Sequence, residues 1–246
     1  MKKALVTGAN RSIGLEVVKQ LLQKGVYVYL GCRDIEKGKA AVAVLQENGF
    51  TNVEPLQIDI SISESIQQAK VALAQKTTVL DILVNNAGIL GDLPQTALGI
   101  TQKNLKNVFN TNFFGTIETT QNFYEFLEKA EQPRIVNVTS GLGSLTLHSD
   151  SSWKYYDVKS SAYVPSKTAL NAYTVMLAYE LRNNPKFKVN AVDPGYTATE
   201  FNNFSGPGDI PTAASYIVAF ALLDENGKTG SFISYDSNPE TGESPW

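Results

Sequence analysis

The chain carries one cysteine, Cys32, and one histidine, His148. A single cysteine excludes an intrachain disulfide and points to a reducing compartment, so a cytoplasmic protein is expected. A single histidine with no cysteine beside it leaves no metal-ligand set, and no metal is expected. Positive charge is also short: 21 Lys and Arg face 24 Asp and Glu, a net charge of −3, which leaves no cationic face for nucleic acid. No apolar run approaches the roughly 18 residues that a membrane span needs. The start, Met1-Lys2-Lys3-Ala4-Leu5-Val6-Thr7-Gly8, is basic and then apolar, but too short in its apolar part for a signal peptide. Low-complexity linkers and internal repeats are missing too. With 43% hydrophobic residues in 246, one large core is affordable, and residues 1–246 are expected to form one domain.

What is present is an alternation of short apolar runs with longer helical stretches. Lys3–Val6, Val26–Leu30, Val53–Ile58, Leu80–Val84, Arg134–Val138, Lys188–Val192 and Ser231–Ser234 read as strands. Several are apolar throughout, as strands covered on both faces should be. Helices are predicted over Ile13–Lys24, Ile35–Glu47, Ser63–Gln75, Leu105–Lys129, Val164–Arg182 and Pro211–Leu222. Asp34 is the expected cap of the second, and Ser61 or Ser63 of the third. Such alternation implies right-handed crossovers and an α/β fold of Rossmann type: a doubly wound parallel sheet with helices on both faces. Ligands of such sheets bind beyond the carboxyl ends of the strands, and every motif falls there.

Thr7-Gly8-Ala9-Asn10-Arg11-Ser12-Ile13-Gly14 follows the first strand and opens a helix. A glycine turn into a helix N-terminus offers backbone N–H groups and a positive dipole end to a diphosphate. Asp59-Ile60 ends the third strand, where a carboxylate either accepts from an adenine amino group or caps a helix. Asn85-Asn86-Ala87-Gly88 ends the fourth; small residues admit a ribose, and paired asparagines stitch loops together.

Ser140 follows the strand that ends Asn137-Val138-Thr139. Tyr163-Val164-Pro165-Ser166-Lys167 opens a long helix, so Tyr163 and Lys167 share one helix face. An ammonium about 5 Å from the phenol at an effective dielectric near 20 favours phenolate by roughly 3 kcal/mol. That is expected to bring the phenol toward the useful range for acid–base work, while a serine hydroxyl polarises a carbonyl oxygen. Tyr155 and Lys159 repeat the spacing closer to Ser140. Polar flanks exclude them, whereas Tyr163 leads into Leu170, Tyr173, Leu177 and Leu181 at helical intervals.

Five motifs, the Thr7–Gly14 turn, Asn85-Asn86-Ala87-Gly88, the Asn137-Val138-Thr139-Ser140 strand end, Ser161-Ala162-Tyr163 with Lys167, and Asp193-Pro194-Gly195, resemble the short-chain dehydrogenase/reductase family in order and roughly in spacing over nearly the whole chain, and its carbonyl-reductase-like members most. The resemblance implies a catalytic tetrad of Asn112, Ser140, Tyr163 and Lys167. Tyr163 would be the acid–base, Ser140 the carbonyl clamp, and Lys167 the residue that tunes the phenol and bonds the nicotinamide ribose. Asn112, within Asn110-Thr111-Asn112-Phe113-Phe114-Gly115, would hold a relay water through a local helix distortion. Cofactor contacts are implied at Gly8, Asn10, Arg11, Ser12, Ile13, Gly14, Arg33, Asp59, Ile60, Asn86, Ala87, Gly88, Tyr163 and Lys167. Pro194, Gly195, Thr197 and Thr199 resemble the segment that touches the carboxamide.

The cofactor is expected to be NADP(H). In NAD-using relatives an acidic residue fills the place that Cys32 takes here, and Arg33 and Arg11 supply two guanidinium groups for a 2′-phosphate. Asp34 argues the other way, because it fits the spacing of the ribose-binding acid. Ser12 departs from the family's usual glycine; its Cβ crowds the diphosphate, or its hydroxyl donates to it. Substrate loops are expected near 142–161 and 196–211, the first longer than in the common short form. Trp153, Tyr155 and Tyr156 in it suggest a lid over a bulky, apolar small-molecule carbonyl or alcohol, or a local mini-core; His148 lies in the same loop. A homo-oligomer is expected, since Phe109, Phe113, Phe123, Phe126, Tyr173 and Tyr179 exceed one core-facing stripe. The alternative of another class is a catalytically silent NADP(H) sensor on the same fold.

Overall fold

The computed structural model describes residues 1–246. Seven strands form one parallel sheet: β1 (Lys3–Val6), β2 (Tyr27–Cys32), β3 (Val53–Gln57), β4 (Ile82–Asn85), β5 (Arg134–Val138), β6 (Lys188–Asp193) and β7 (Phe232–Ser234). Their spatial order is β3-β2-β1-β4-β5-β6-β7. The chain winds outward from β1 to β3, then returns to β4 and winds the other way. The crevice between β1 and β4 is thus the topological switch point.

Eight helices connect them: α1 (Ser12–Gln23), α2 (Ile35–Glu47), α3 (Ser63–Ala74), α4 (Gln102–Phe109), α5 (Thr116–Leu127), α6 (Leu145–His148), α7 (Tyr163–Glu180) and α8 (Ile210–Ala221). Period-two alternation sends neighbouring strand residues to opposite faces. Ala4 and Val6 pack with Val17, Leu21 and Ile217 of α1 and α8, whereas Leu5 packs with Ile66, Phe123 and Phe126 of α3 and α5. No helix is long and apolar enough to cross a membrane.

Strand and helix ends lie within a few residues of those predicted, with two corrections. The single helix expected over Leu105–Lys129 is interrupted by a π-helical turn at Asn110–Gly115. The turn is the local distortion that the resemblance implied around Asn112, and it brings Gly115 close to the preceding loop, where a Cβ would lie 2.1 Å from the Ile60 carbonyl oxygen. Neither Ser61 nor Ser63 caps α3, whose N-cap position is held by Ile62 with no side-chain bond. Ser61 instead donates to Asp59 at 2.6 Å, and Ser63 donates to Glu118 across the helix layer. Asp34 does cap α2, accepting from the N–H groups of Glu36 and Lys37.

Arg134 went unremarked in the sequence. It is 1% exposed and donates to the carbonyls of Pro133, Lys186, Leu223 and Asp224, tying together the amino-terminal edge of the sheet.

Candidate active site

The motifs meet around one cleft of about 1010 Å³ at the carboxyl ends of the strands. Gly8, Asn10, Arg11, Ser12, Ile13 and Gly14 line its outer wall, facing Asn86, Ala87 and Gly88. Two glycines let the walls approach. Gly8 has φ of 63°, and a Cβ there would sit 2.9 Å from Ala87 Cα. A Cβ on Gly14 would sit 2.5 Å from the Gly8 carbonyl oxygen. Asn86 seals this turn by donating to the Thr7 and Gly8 carbonyls at 2.8 and 3.1 Å. Asn85 stitches the sheet to α5, donating to Thr120 and Asn137.

Ser12 has φ of 49°, a left-handed conformation that explains why glycine suits this position. Its hydroxyl donates to the Glu200 carboxylate, so the turn is tied to the 196–211 segment. That hydroxyl, helped by Arg11, holds the Glu200 carboxyl below the usual carboxylate range.

Arg33, Asp34, Lys37, Asp59 and Ile60 line the far end of the cleft, and Cys32 does not. Cys32 is 1% exposed, and a Cβ on Gly38 would lie 2.4 Å from its Sγ. The expectation that Cys32 fills the ribose-facing position is therefore corrected: strand alternation turns its side chain under α2. Burial, with Asp34 nearby, pushes its thiol up. The Asp34 carboxylate is engaged in capping α2, with bonds of 3.1 and 3.2 Å, and stands 3.7 Å from the Lys37 ammonium. Asp59 closes a turn by accepting from the Ser61 N–H and hydroxyl. A glycine turn that a Cβ would fill, opening a 12-residue helix, together with two guanidinium groups, is a donor set that fits a phosphorylated dinucleotide.

Ser140, Tyr163 and Lys167 line the inner end of the same cleft, with Pro194, Gly195, Thr197 and Thr199 opposite. Tyr163 opens α7 and is buried, with the Lys167 ammonium 5.8 Å from its ring centroid. The Ser140 hydroxyl, which accepts from the Leu142 N–H at 3.2 Å, lines the same end of the cleft as the phenol and favours its ionised form. Lys167 is buried and donates to the Val138 carbonyl at 2.9 Å. Burial pushes its ammonium down to about 8, while Asp193 draws it back up.

The expectation of a phenol brought down by Lys167 is corrected. Burial pushes Tyr163 well above the usual tyrosine range, and the Asp193 carboxylate adds to this; the Ser140 hydroxyl draws it partly back. Desolvation of the phenolate outweighs an ammonium that is itself weakened by burial.

Asn112 stands behind the cleft wall, fully buried in the π-helical turn. Its Oδ1 accepts from Ile89 N–H at 2.8 Å, and its Nδ2 donates to the Ile89 carbonyl and Ser166 hydroxyl at 2.9 and 3.0 Å. The amide is thus committed to joining α7, the turn and the loop after β4, and the distortion expected at this residue is present.

The competing tyrosine, Tyr155, also lines the cleft, but from an irregular loop. Its would-be partner Lys159 turns away, bonding His148 Nδ1 at 3.0 Å and lying over the Tyr156 ring. Tyr155 packs edge-on against Tyr196 and Trp153, and burial, with Asp236 nearby, pushes its phenol up. Trp153 in turn meets His148. The loop is therefore both a small aromatic cluster and one wall of the site. Phe201, Asp193 and Asp236 also line the cleft and were not anticipated as site residues; Phe201 packs on the Tyr163 ring at 5.6 Å. Asp193 is the first residue of the Asp-Pro-Gly motif, the one signal in the sequence that marked it.

Residues 2–209 match the family model described as short chain dehydrogenase. The chain is 32% identical to (+)-neomenthol dehydrogenase of Arabidopsis thaliana, over 94% of this chain and 95% of that one. It is similar to the solved structure of salutaridine reductase from Papaver somniferum, with a TM-score of 0.81 and 28% identity over 94% of this chain and 99% of that chain. NADPH-bound carbonyl reductase from chicken fatty liver shares the fold, with a TM-score of 0.84 at 24% identity over 100% and 99% of the two chains. With the family model matched over most of its length and the site built from that family's motifs, the chain belongs to the short-chain dehydrogenase/reductase family of oxidoreductases.

Proposed function

We propose that the protein is an NADP(H)-dependent reductase that converts a bulky, apolar ketone or aldehyde to its alcohol. The observation that carries this is the convergence of Ser140, Tyr163 and Lys167 at one end of the cleft whose other end holds the glycine turn and Arg33. Reduced nicotinamide, when bound, supplies a hydride to the carbonyl carbon. The Ser140 hydroxyl holds the carbonyl oxygen, and the Tyr163 phenol gives that oxygen its proton. Lys167 holds a ribose hydroxyl and stabilises the phenolate left behind. Asn112 acts through the π-helical turn, whose distortion would hold a relay water behind the cleft wall. A phenol held firmly protonated suits the proton-giving direction.

The phosphate choice rests on Arg33 and Arg11, both in the cleft wall, and on the commitment of Asp34 to its helix cap. Leu90, Leu93, Val158, Tyr196 and Phe201 give the substrate end its apolar walls, from the loops that include 142–161 and 196–211. No cluster of three or more His, Cys, Asp or Glu side chains stands ready to hold a metal ion, and a cytoplasmic location, suggested by a lone buried thiol, is part of this reading.

NADPH oxidation with a panel of ketones and aldehydes tests the reading. Turnover with apolar carbonyls, at a higher kcat/KM for NADPH than for NADH, is expected. A silent panel with tight NADPH binding retained would instead make the protein a cofactor sensor.

Subunit pairing through the helical stretch Leu105–Lys129, which spans α4, the π-helical turn and α5, and through α7 is part of this reading. Phe123 and Phe126 are buried in the core, which removes them from the expected surplus. Phe114, Met176 and Tyr179 remain 57%, 60% and 63% exposed, the first beside a shallow depression lined by Leu105, Phe109 and Pro165. Light scattering should give a mass above that of one 26.8 kDa chain.

A further inference from the structure

Beneath the proposed catalytic groups lies a carboxylate that the mechanism above does not use. Asp193 ends β6 and is 4% exposed. Its Oδ1 accepts from Gly195 N–H at 3.0 Å and its Oδ2 from the Ser234 hydroxyl at 2.7 Å. A Cβ on Gly141 would lie 3.0 Å from Oδ2, and the Gly141 N–H also faces the carboxylate. One side chain thus joins the turn after Ser140, the Pro194–Gly195 turn and the end of β7.

Its position relative to Lys167 follows from strand register. The Lys167 ammonium bonds the Val138 carbonyl, Val138 pairs with Val192 on the neighbouring strand, and Asp193 is the next residue. The Lys167 ammonium, reaching from α7 to the end of β5, and Asp193 at the end of neighbouring β6 are therefore both brought to the inner end of the same cleft, each side chain itself buried. The charged and titratable groups that line this part of the cleft with Asp193 are Tyr163 and Lys167 from α7, Tyr155 from the aromatic loop, and Asp236 from the segment after β7. Asp236 has its own cation, Lys154, at 2.8 Å. Asp193 has none at contact distance, so its field acts on Tyr163 and Lys167.

We propose that Asp193 is a positioning residue whose buried carboxylate keeps Tyr163 and Lys167 loaded with protons and so biases the site toward giving a proton to a carbonyl oxygen. A negative charge in low dielectric stabilises a nearby ammonium and destabilises a nearby phenolate, so both effects have the same sign. The carboxyl itself is pushed up to about 6 by burial, yet it is ionised at neutral pH because Ser234 and the Gly195 and Gly141 N–H groups hold the charged form. The inference rests on the reading of Tyr163 and Lys167 as the reacting pair, and its test is chosen to separate the two.

Asp193→Asn keeps the shape and one acceptor oxygen but removes the charge. In the cofactor-free protein, NMR titration of the lysine ammonium groups, with Lys167 assigned by its loss in Lys167→Met, should show Lys167 releasing its proton about one pH unit earlier. In NADPH-dependent carbonyl reduction, the alkaline arm of kcat/KM should move down by a similar amount, giving about a fivefold loss near pH 8, approaching about tenfold at higher pH, and little loss near pH 6. Ser234→Ala removes a bond to the carboxylate and leaves it charged above neutrality, so it should lower Tm and leave the alkaline arm in place. If Asp193→Asn does not fold, Asp193→Ser, which still offers an acceptor to Gly195, serves instead. An unmoved Lys167 titration, a pH-independent loss of rate, or an equal shift in Ser234→Ala would overturn the inference. A wild type inactive on every carbonyl, with the Lys167 titration still shifted by Asp193→Asn, would overturn only the reductase reading.

Discussion

Replacing Lys167 by Met should make the protein more stable and less active at once. Burial holds the Lys167 ammonium at about 8 rather than the ordinary 10.5. At about 1.36 kcal/mol per pH unit, keeping that charge inside the fold costs roughly 3 kcal/mol at neutral pH. Methionine fills nearly the same volume and removes this penalty, but leaves the Val138 carbonyl without its 2.9 Å donor. An unsatisfied carbonyl costs about 1–2 kcal/mol, so the net gain is about 1–2 kcal/mol, or a Tm increase of about 2–8 °C for a domain of this size. The sign with pH is set by linkage. Below about 8 the lysine is charged in both folded and unfolded chains, and the penalty is complete; between about 8 and 10.5 only the unfolded chain holds the proton, so wild-type stability recovers. The advantage of Lys167→Met should therefore be largest at neutral pH and fade toward about pH 10. Thermal unfolding of both proteins across this range, beside reductase assays, makes the measurement. A Lys167→Met protein less stable than wild type at pH 7, or a gain indifferent to pH, would refute the reasoning.

Tyr163→Phe should lower kcat about 10²–10⁴-fold, roughly 3–5 kcal/mol in the barrier, with NADPH affinity little changed by fluorescence titration. Tyr155→Phe should leave the pH dependence of kcat in place and alter mainly KM for bulky substrates; the reverse pattern would place the acid–base on the wrong tyrosine. Arg33→Ala should cut the kcat/KM preference for NADPH over NADH by about 10–100-fold, the worth of one or two charge-assisted hydrogen bonds. Gly115→Ala forces a Cβ toward the Ile60 carbonyl and should lower stability by about 1–3 kcal/mol in denaturant unfolding, reducing activity through Asn112.

Periodicity and turn chemistry are local, and what they govern was legible in the sequence. Arg134–Val138 and Ile35–Glu47 begin and end where their apolar patterns do, and Asp34 caps the second as its residue type demands. The choice between two Tyr-x-x-x-Lys pairs was also local: Tyr163 starts a helix with a buried face, while Lys159 lies in a loop and bonds His148. The glycine turn, the Asn pair and the catalytic motif all reach one cleft because a parallel sheet gathers the carboxyl ends of its strands on one edge.

Tertiary structure decided whatever depends on segments distant in the chain. Cys32 turned under α2 instead of facing a ribose, because the strand's alternation and the space left by Gly38 set its direction. The π-helical turn at Asn110–Gly115 packs against Ile60, fifty and more residues earlier, and helical periodicity gave no sign of it; only the family resemblance pointed to a distortion there. The protonation of Tyr163 was misjudged for the same reason. Sequence places Lys167 four residues from it on one helix face, but the burial of both groups, and Asp193 brought in from β6, exist only once the sheet has formed. Secondary structure and motif chemistry are short-range and so are written in the order of residues. Desolvation and the fields of buried charges are set by what lies within a few ångströms in space, and only the folded chain defines that neighbourhood.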